Sequence, residues 1–167
     1  MLVPALEAMV LVPPSTSLAL DHAAIAARIP HRGSMCLLDA VVDWSETAIF
    51  CRAISHLDPA NPLRAEGRLG AANGIEYAAQ AMAVHGSLLA KAGDPPRQGY
   101  LTSVRSVHLH VAQLDDLPGA LSVQAERLSG DHNNILYQFS LSHAGCCLLE
   151  GRAAVVLDAA ALKETHS

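Results

Sequence analysis

The residues best placed to do chemistry are Glu76 and Gln80, four apart in the stretch "GIEYAAQAMAVHGSLLAKAG". That spacing puts both side chains on one face of a helix, one turn apart. Glu76 is the sole formal charge between Arg68 and Lys91, set among Ala, Gly, Ile, Met, Val and Leu. A solvent-facing helix stripe collects Lys, Glu and Arg, and this one does not, so Glu76 is expected in an enclosed, weakly hydrated place. Desolvation disfavours an ionised carboxylate and should raise its pKa toward neutrality, where it can give or take a proton. The alternative is that Glu76 meets solvent or an arginine at a dimer edge. Gln80 can hold the carboxyl or a ligand by a side-chain hydrogen bond. The helix start, from Ala71 through Asn73 to Gly74, offers backbone amides able to polarise a carbonyl oxygen.

The histidines read differently. His31 and Asp39 are expected to form a structural hydrogen-bonded pair near the pocket. His85 lies on the helix nearly opposite Glu76 and reads as a packed or interface residue. His108 and His110 share one face of a strand and could bind a metal, but no third ligand is suggested. They read as a polar strand face, and no metal is expected. No Ser-His-Asp order or nucleotide-binding loop is present, and the glycines of "EGRLGAANG" follow no strand cleanly.

The elements that must position Glu76 follow from periodicity. "LDHAAIAARIP" reads as a short helix with Asp21 as N-cap and Pro30 ending it. "CLLDAVVDWSETAIFCRAIS" gives two strands separated near Ser45–Glu46, with Ile49, Cys51 and Ala53 alternating against Phe50 and Arg52. A Pro/Asn/Gly-rich connection leads to a long helix over about 72–92. One stripe of it holds Ile75, Ala78, Ala79, Met82, Gly86 and Leu89, and an adjacent one holds Glu76, Gln80, Ala83 and Ser87. After "GDPPRQG" the period becomes two. Val107, Leu109 and Val111 share a face, as do Leu121, Val123 and Ala125, then Ile135, Tyr137, Phe139 and Leu141, then Gly151, Ala153, Val155 and Leu157. Turn signals at "DDLPG", "SGDHNN" and "HAG" separate these runs. Half-buried antiparallel strands need an apolar partner, and the helix of Glu76 is the long apolar element available. The expected class is α+β, an antiparallel sheet around one helix.

The bulk figures bound the answer. A chain of 167 residues, 51% hydrophobic and 16% charged, fits one globular domain with a substantial core. Net charge of −5 without a basic patch argues against nucleic-acid binding. Nothing after the start approaches a membrane span. The apolar "MLVPALEAMVLVPPSTS" lacks a basic leader, contains Glu7 and is broken by prolines, so it reads as a loosely ordered arm over 1–19 or an over-long start with Met9 as the real one. The domain is expected over 20–158 and a tail over 159–167. Cys36, Cys51, Cys146 and Cys147 have no CxxC spacing and read as reduced, buried, cytosolic thiols.

Two motifs together resemble a known family. "IPHRGSMCLLDAV" is similar to the N-terminal signature of the β-hydroxyacyl-acyl carrier protein dehydratases, matched at Pro30, His31, Arg32, Leu37 and Asp39. "GIEYAAQAM" is similar to that family's central-helix motif, matched at Glu76 and Gln80. The resemblance covers roughly residues 20 to 158 and implies the hotdog fold, with two subunits joining their sheets. It also implies a histidine before the helix that removes the α-proton of a 3-hydroxyacyl thioester, and a helix carboxylate that protonates the departing hydroxyl. Backbone amides at the helix start would polarise the thioester carbonyl. The corresponding segment here, "NPLRAEGRLG", contains no histidine, and His56 at the end of the second strand is the nearest candidate base.

With "PHRG", "GIEYAAQ" and that gap, the chain looks most like the dehydratase-like subunits of aryl-polyene and xanthomonadin-type pathways, some of which pair with a second hotdog subunit. The resemblance thus assigns catalysis to Glu76 and His56, and substrate binding to Asn73, Gly74, Gln80 and His31. It implies no cofactor, an acyl carrier protein or CoA thioester as partner, a homodimer or a hotdog heterodimer, and a cytoplasmic location. Self-association through the sheet edge is expected, because an unpaired edge strand is a liability. Arg64, Arg68, Lys91 and Arg97 are the expected docking cations for an acidic carrier. A hotdog thioesterase with Glu76 activating water, and a non-catalytic acyl-binding subunit, are the alternatives.

Overall fold

The computed structural model describes residues 19–94 and 98–157. The expected arm, Ala19 apart, and the expected tail lie outside the described residues. A two-residue strand β1 (Leu20–Asp21) runs into helix α1 (His22–Ala26), where Asp21 caps the start by accepting the Ala24 amide at 2.8 Å. The helix stops at Ala26, earlier than Pro30 suggests, because residues 27–30 form a turn. Strands β2 (Ala40–Trp44) and β3 (Ala48–Ala53) form a hairpin across Ser45–Thr47. A single 3-10 turn (Ala71–Asn73) opens helix α2 (Gly74–Leu89), three residues short of the expected end at 92 because Ala90 is already extended.

Four strands follow: β4 (Tyr100–Leu109), β5 (Leu121–Gly130), β6 (Asn134–His143) and β7 (Cys146–Val156). They join the first three in one seven-stranded sheet of order β1-β2-β3-β5-β6-β7-β4, with every pairing antiparallel. Period two is clearest in the centre. Leu121, Val123 and Ala125 on β5, and Ile135, Tyr137, Phe139 and Leu141 on β6, are all buried. This face curls around α2, which packs on β3, β5 and β6.

The buried stripe of α2 is Gly74, Tyr77, Ala78, Ala81, Met82, Val84 and His85. It is rotated from the expected stripe, since Ile75, Ala79, Gly86 and Leu89 are only half-buried. Tyr77 and His85 explain the rotation: their rings fill volume that the small residues of the expected stripe cannot. Gly74 sits where a Cβ would come within 2.5 Å of Leu149, so β7 can lie directly against the helix start.

Strand β4 departs from expectation too. It starts at Tyr100 rather than near Ser106, and a bulge between Arg105 and His108, with Ser106 at φ 53°, breaks its alternation. Leu109 is exposed as a result, together with Tyr100 and Leu101. Of the four cysteines expected to be buried, Cys36 and Cys51 are, whereas Cys146 and Cys147 are exposed at the start of β7. No helix among the described residues is long and apolar enough to cross a membrane.

Two histidines belong wholly to the interior. His85 has one ring nitrogen 2.8 Å from the Ser45 carbonyl and the other 2.8 Å from the Tyr137 hydroxyl. A carbonyl only accepts, so Nε2–H donates to Ser45 and Nδ1 is free to accept from Tyr137. His56 likewise has Nε2 2.9 Å from the Leu117 carbonyl, while its Nδ1 is buried without a partner. Burial pushes both imidazoles below their ordinary value of 6.5. Folding therefore favours the neutral rings, and their contribution is full above that value and lost as pH falls through and below it. We predict that the urea midpoint falls between about pH 7.5 and about pH 5, and falls less in His85→Gln. A midpoint that holds steady across that interval would refute the neutral-core assignment.

Candidate functional site

The two sequence motifs meet at one carboxylate. Glu76 stands in the first turn of α2, and its Oε1 lies 3.0 Å from His31 Nε2 and 3.3 Å from Gln80 Nε2. Gln80 is fully buried and makes two further hydrogen bonds. Its Nε2 donates to the Met35 carbonyl at 2.7 Å, and its Oε1 accepts the Leu37 amide at 2.9 Å. It thereby ties the segment after Pro30 to the helix and fixes His31 beside Glu76.

With Nε2–H donated to the carboxylate, the other ring nitrogen of His31 is a bare acceptor in the neutral tautomer. That Nδ1 is buried and has no hydrogen-bond partner. Both donors to Glu76 converge on Oε1, and neither engages Oε2. Glu76 is less enclosed than its apolar neighbours suggest, since its side chain is 34% exposed and that of His31 27%. The helix is wrapped by the sheet, but its first turn opens at the rim.

Several expectations require correction. Asp39 pairs with Arg52, at 2.7 and 3.1 Å, and not with His31: it lies just ahead of β2, where its amide donates to the Arg52 carbonyl at 2.8 Å and brings the two residues together. His56 is not at the site. It sits in a 3-10 turn (Ser55–Leu57), and the charged groups that act on it are His143, Arg64 and Asp115. The amides at the helix start are largely engaged. Ala71 N–H donates to Ala112, Asn73 N–H to Gly70, and Gly74 N–H to Ala71 and Ala72. Of that stretch, Ala72 N–H alone stands outside these bonds. The Asn73 side chain also points back to Gly70.

The segment without the family's histidine is closed by other groups. Asn61 donates to the Ser55 carbonyl at 2.9 Å and to the Tyr77 hydroxyl at 3.1 Å, and accepts the Leu63 amide. Ser55 reaches the same hydroxyl at 2.8 Å. This buried net pins the connection to α2, and a Pro/Asn-rich stretch gave no signal for it beyond a turn. Arg64 donates to the carbonyls of His56, Asp58 and Gly67 and lies 3.6 Å from Asp115. Arg68 pairs with Asp115 at 2.9 Å and Asp116 at 3.3 Å. Of the cations expected to dock a carrier, those two arginines are tied into the loop by these contacts. Lys91 is exposed just beyond α2, and Arg97 lies outside the described residues.

An antiparallel sheet curled around one long helix, with a carboxylate in that helix's first turn, is the hotdog fold. The description of the ApeP-like family, the ApeP dehydratases, matches residues 23–165, and the chain belongs to that family. Among solved structures it is similar to the dehydratase heterocomplex ApeI:P from Xenorhabdus doucetiae, at 21% identity and TM-score 0.73, over 86% of this chain and 97% of that one. It is also similar to zebrafish thioesterase superfamily member 2 (13% identity, TM-score 0.57, 84% of this chain and 100% of that one). A mutant thioesterase from Pseudomonas aeruginosa is similar at 14% identity and TM-score 0.57, over 83% of this chain and 95% of that one. At these identities the solved structures show the fold alone. Comparison with the curated proteins gives no significant match.

Replacing Gln80 by Leu keeps the volume but strands the Leu37 amide and the Met35 carbonyl. Each buried group left without a partner costs about 1–3 kcal/mol. We predict that Gln80→Leu lowers stability by about 2–4 kcal/mol in urea unfolding and speeds hydrogen exchange at Leu37. Unchanged protection of that amide would show that the 31–37 segment is held by something else.

Proposed function

We propose that this chain is the carboxylate-bearing subunit of a 3-hydroxyacyl-thioester dehydratase, with Glu76 as general acid. The observation that carries the reading is the His31–Glu76–Gln80 cluster, in which both donors take Oε1 and neither engages Oε2. In dehydration a base removes the α-proton, and that electron pair forms the α,β double bond. The β-hydroxyl leaves as water with the proton from Glu76. The His31 Nε2–H, 3.0 Å from the carboxylate, holds Glu76 in position, and the carboxyl regains its proton from solvent at the open rim after each turnover. Ala72 N–H, at the helix start, is the candidate donor to the thioester carbonyl, whose charge grows as the α-proton departs.

The base is the missing group. The 61–70 segment holds no histidine, and His56 is locked in the core. We assign the base to a second hotdog subunit, in line with the heterocomplex of the ApeI:P relative. The open edge of β4, with exposed Tyr100, Leu101 and Leu109, is the surface on which such a subunit would continue the sheet. The half-exposed state of Glu76 fits the same reading, since a partner at the rim would complete its enclosure. The substrate would be carried as an acyl carrier protein or coenzyme A thioester in the cytoplasm, without a cofactor.

The test compares dehydration of a 3-hydroxyacyl thioester by this chain alone, by a mixture with a histidine-bearing hotdog partner, and by that mixture carrying Glu76→Gln. The chain alone should turn over poorly and the mixture well. The Gln variant of the mixture should lose about a hundredfold or more, since Gln keeps the shape but cannot donate a carboxylic proton. Full activity in that variant would make Glu76 structural and the chain a scaffold. Hydrolysis of simple acyl thioesters in place of dehydration would replace the reading with a thioesterase.

A further inference from the structure

The strand face that carries His108 and His110 acquires in the fold the third ligand that the sequence does not show. The β6–β7 hairpin turns on Ala144 and Gly145, both with positive φ (49° and 80°), the signature of a two-residue type I′ turn. From that turn Ser142 pairs with Cys147, but Leu141 pairs with Leu149, so Leu148 is an extra residue in β7. Without the bulge, residues three apart would face opposite sides of the sheet. With it, Leu148 and Leu149 both face the core, and Cys147 and Glu150 both face outward. Across the next ladder His108 pairs with Glu150, and the His110 amide donates to the Leu148 carbonyl. His110 therefore stands over the same outward patch.

The ligand atoms of His110, Cys147 and Glu150 all lie within 4.8 Å of one another. The Cys147 sulfur is 3.6 Å from one oxygen of Glu150, and His110 Nε2 is 4.0 Å from the other. Around a tetrahedral zinc ion, with bonds of about 2.0–2.3 Å, neighbouring ligand atoms sit roughly 3.3–3.8 Å apart. Small rotamer shifts of exposed side chains close that difference. An exposed thiol on the outer face of a sheet is itself out of character, since cysteine is among the most buried residue types. Thiolate, imidazole and carboxylate together suit zinc and not magnesium or calcium, which prefer all-oxygen shells.

We propose that His110, Cys147 and Glu150 form a zinc site on the outer face of the sheet, fastening the end of edge strand β4 to β7. It lies on the side of β7 away from α2 and Glu76, so its place is structural and not in the dehydration chemistry. Three protein ligands leave the fourth position to water. On binding, the Cys147 thiol gives its proton to the solvent and the sulfur bonds the metal as thiolate; no oxidation or reduction is involved.

The test uses the full chain, reduced and stripped of metal, titrated with zinc against a chromophoric chelator and separately with cobalt(II). One zinc ion per chain should bind, and the cobalt form should show a thiolate-to-cobalt charge-transfer band. Cys147→Ser should abolish the band, whereas Cys146→Ser should keep it. His110→Ala and Glu150→Gln should weaken zinc binding by at least about 10–100-fold, the loss that even outer-shell changes produce at metal sites. Circular dichroism confirms that these surface variants fold. Absence of stoichiometric uptake, survival of the band in Cys147→Ser, or unchanged affinity in both His110→Ala and Glu150→Gln would overturn the proposal.

Discussion

One buried amide holds the candidate site together. Gln80 has no exposed surface, and its two polar atoms reach Met35, Leu37 and Glu76. A Gln in that position cannot be neutral in effect. Unpartnered it would cost several kcal/mol, whereas fully bonded it ties a coil, a helix and a carboxylate into one rigid unit. Because Met35 and Leu37 lead directly into β2, the amide also sets where the first hairpin of the sheet lies against α2. His31 has no helix or strand of its own; Gln80 supplies its anchorage through the neighbouring backbone.

The fold and the helix are legible in the sequence for physical reasons. Period-two runs in β5 and β6 have one face in the core, so their alternation survives in the residue types. The stretch around Glu76 is nearly free of charge because the sheet covers it. What the sequence conceals arises where side chains meet across long separations or where the pattern slips. His31 and Glu76 are 45 positions apart in number, and no local rule distinguishes that pairing from His31 with the nearer Asp39. The bulges in β4 and β7 each shift the alternation by one, which exposes Leu109 and turns Cys147 outward. The helix face was legible only to within one residue, because Tyr77 and His85 dictate it by volume and not by hydropathy.

The same geometry separates the histidines by what they can do. A histidine serves acid–base chemistry when it can change protonation without opposing the fold. His85 is held from both ring nitrogens, and each bond contributes on the order of 1 kcal/mol, so protonation there forces the Tyr137 bond to reverse and charges the core. His56 is held from one nitrogen and wholly enclosed. His31 is the exception of the three. It is partly open to solvent, lies 3.0 Å from the Glu76 carboxylate, and has a second nitrogen with no hydrogen-bond partner.

On the proposed reading Glu76 is an acid, and the segment in which the resembled dehydratases carry their histidine has none in this chain. The gap is not a vacancy in the fold, since Asn61 at the start of the segment ties it to Ser55 and Tyr77 in a closed hydrogen-bond net. Inserting a histidine there would break that net and strand at least one buried polar group, a cost of about 1–3 kcal/mol. The loop has been built for rigidity, and that rigidity steadies the first turn of α2 through Tyr77, the residue next to Glu76. An acid held this firmly gains from a base delivered on another rigid surface, because proton transfer depends steeply on the distance between the two groups. An exposed sheet edge is the element best suited to deliver it: backbone pairing fixes register in steps of whole residues, whereas a flexible loop does not.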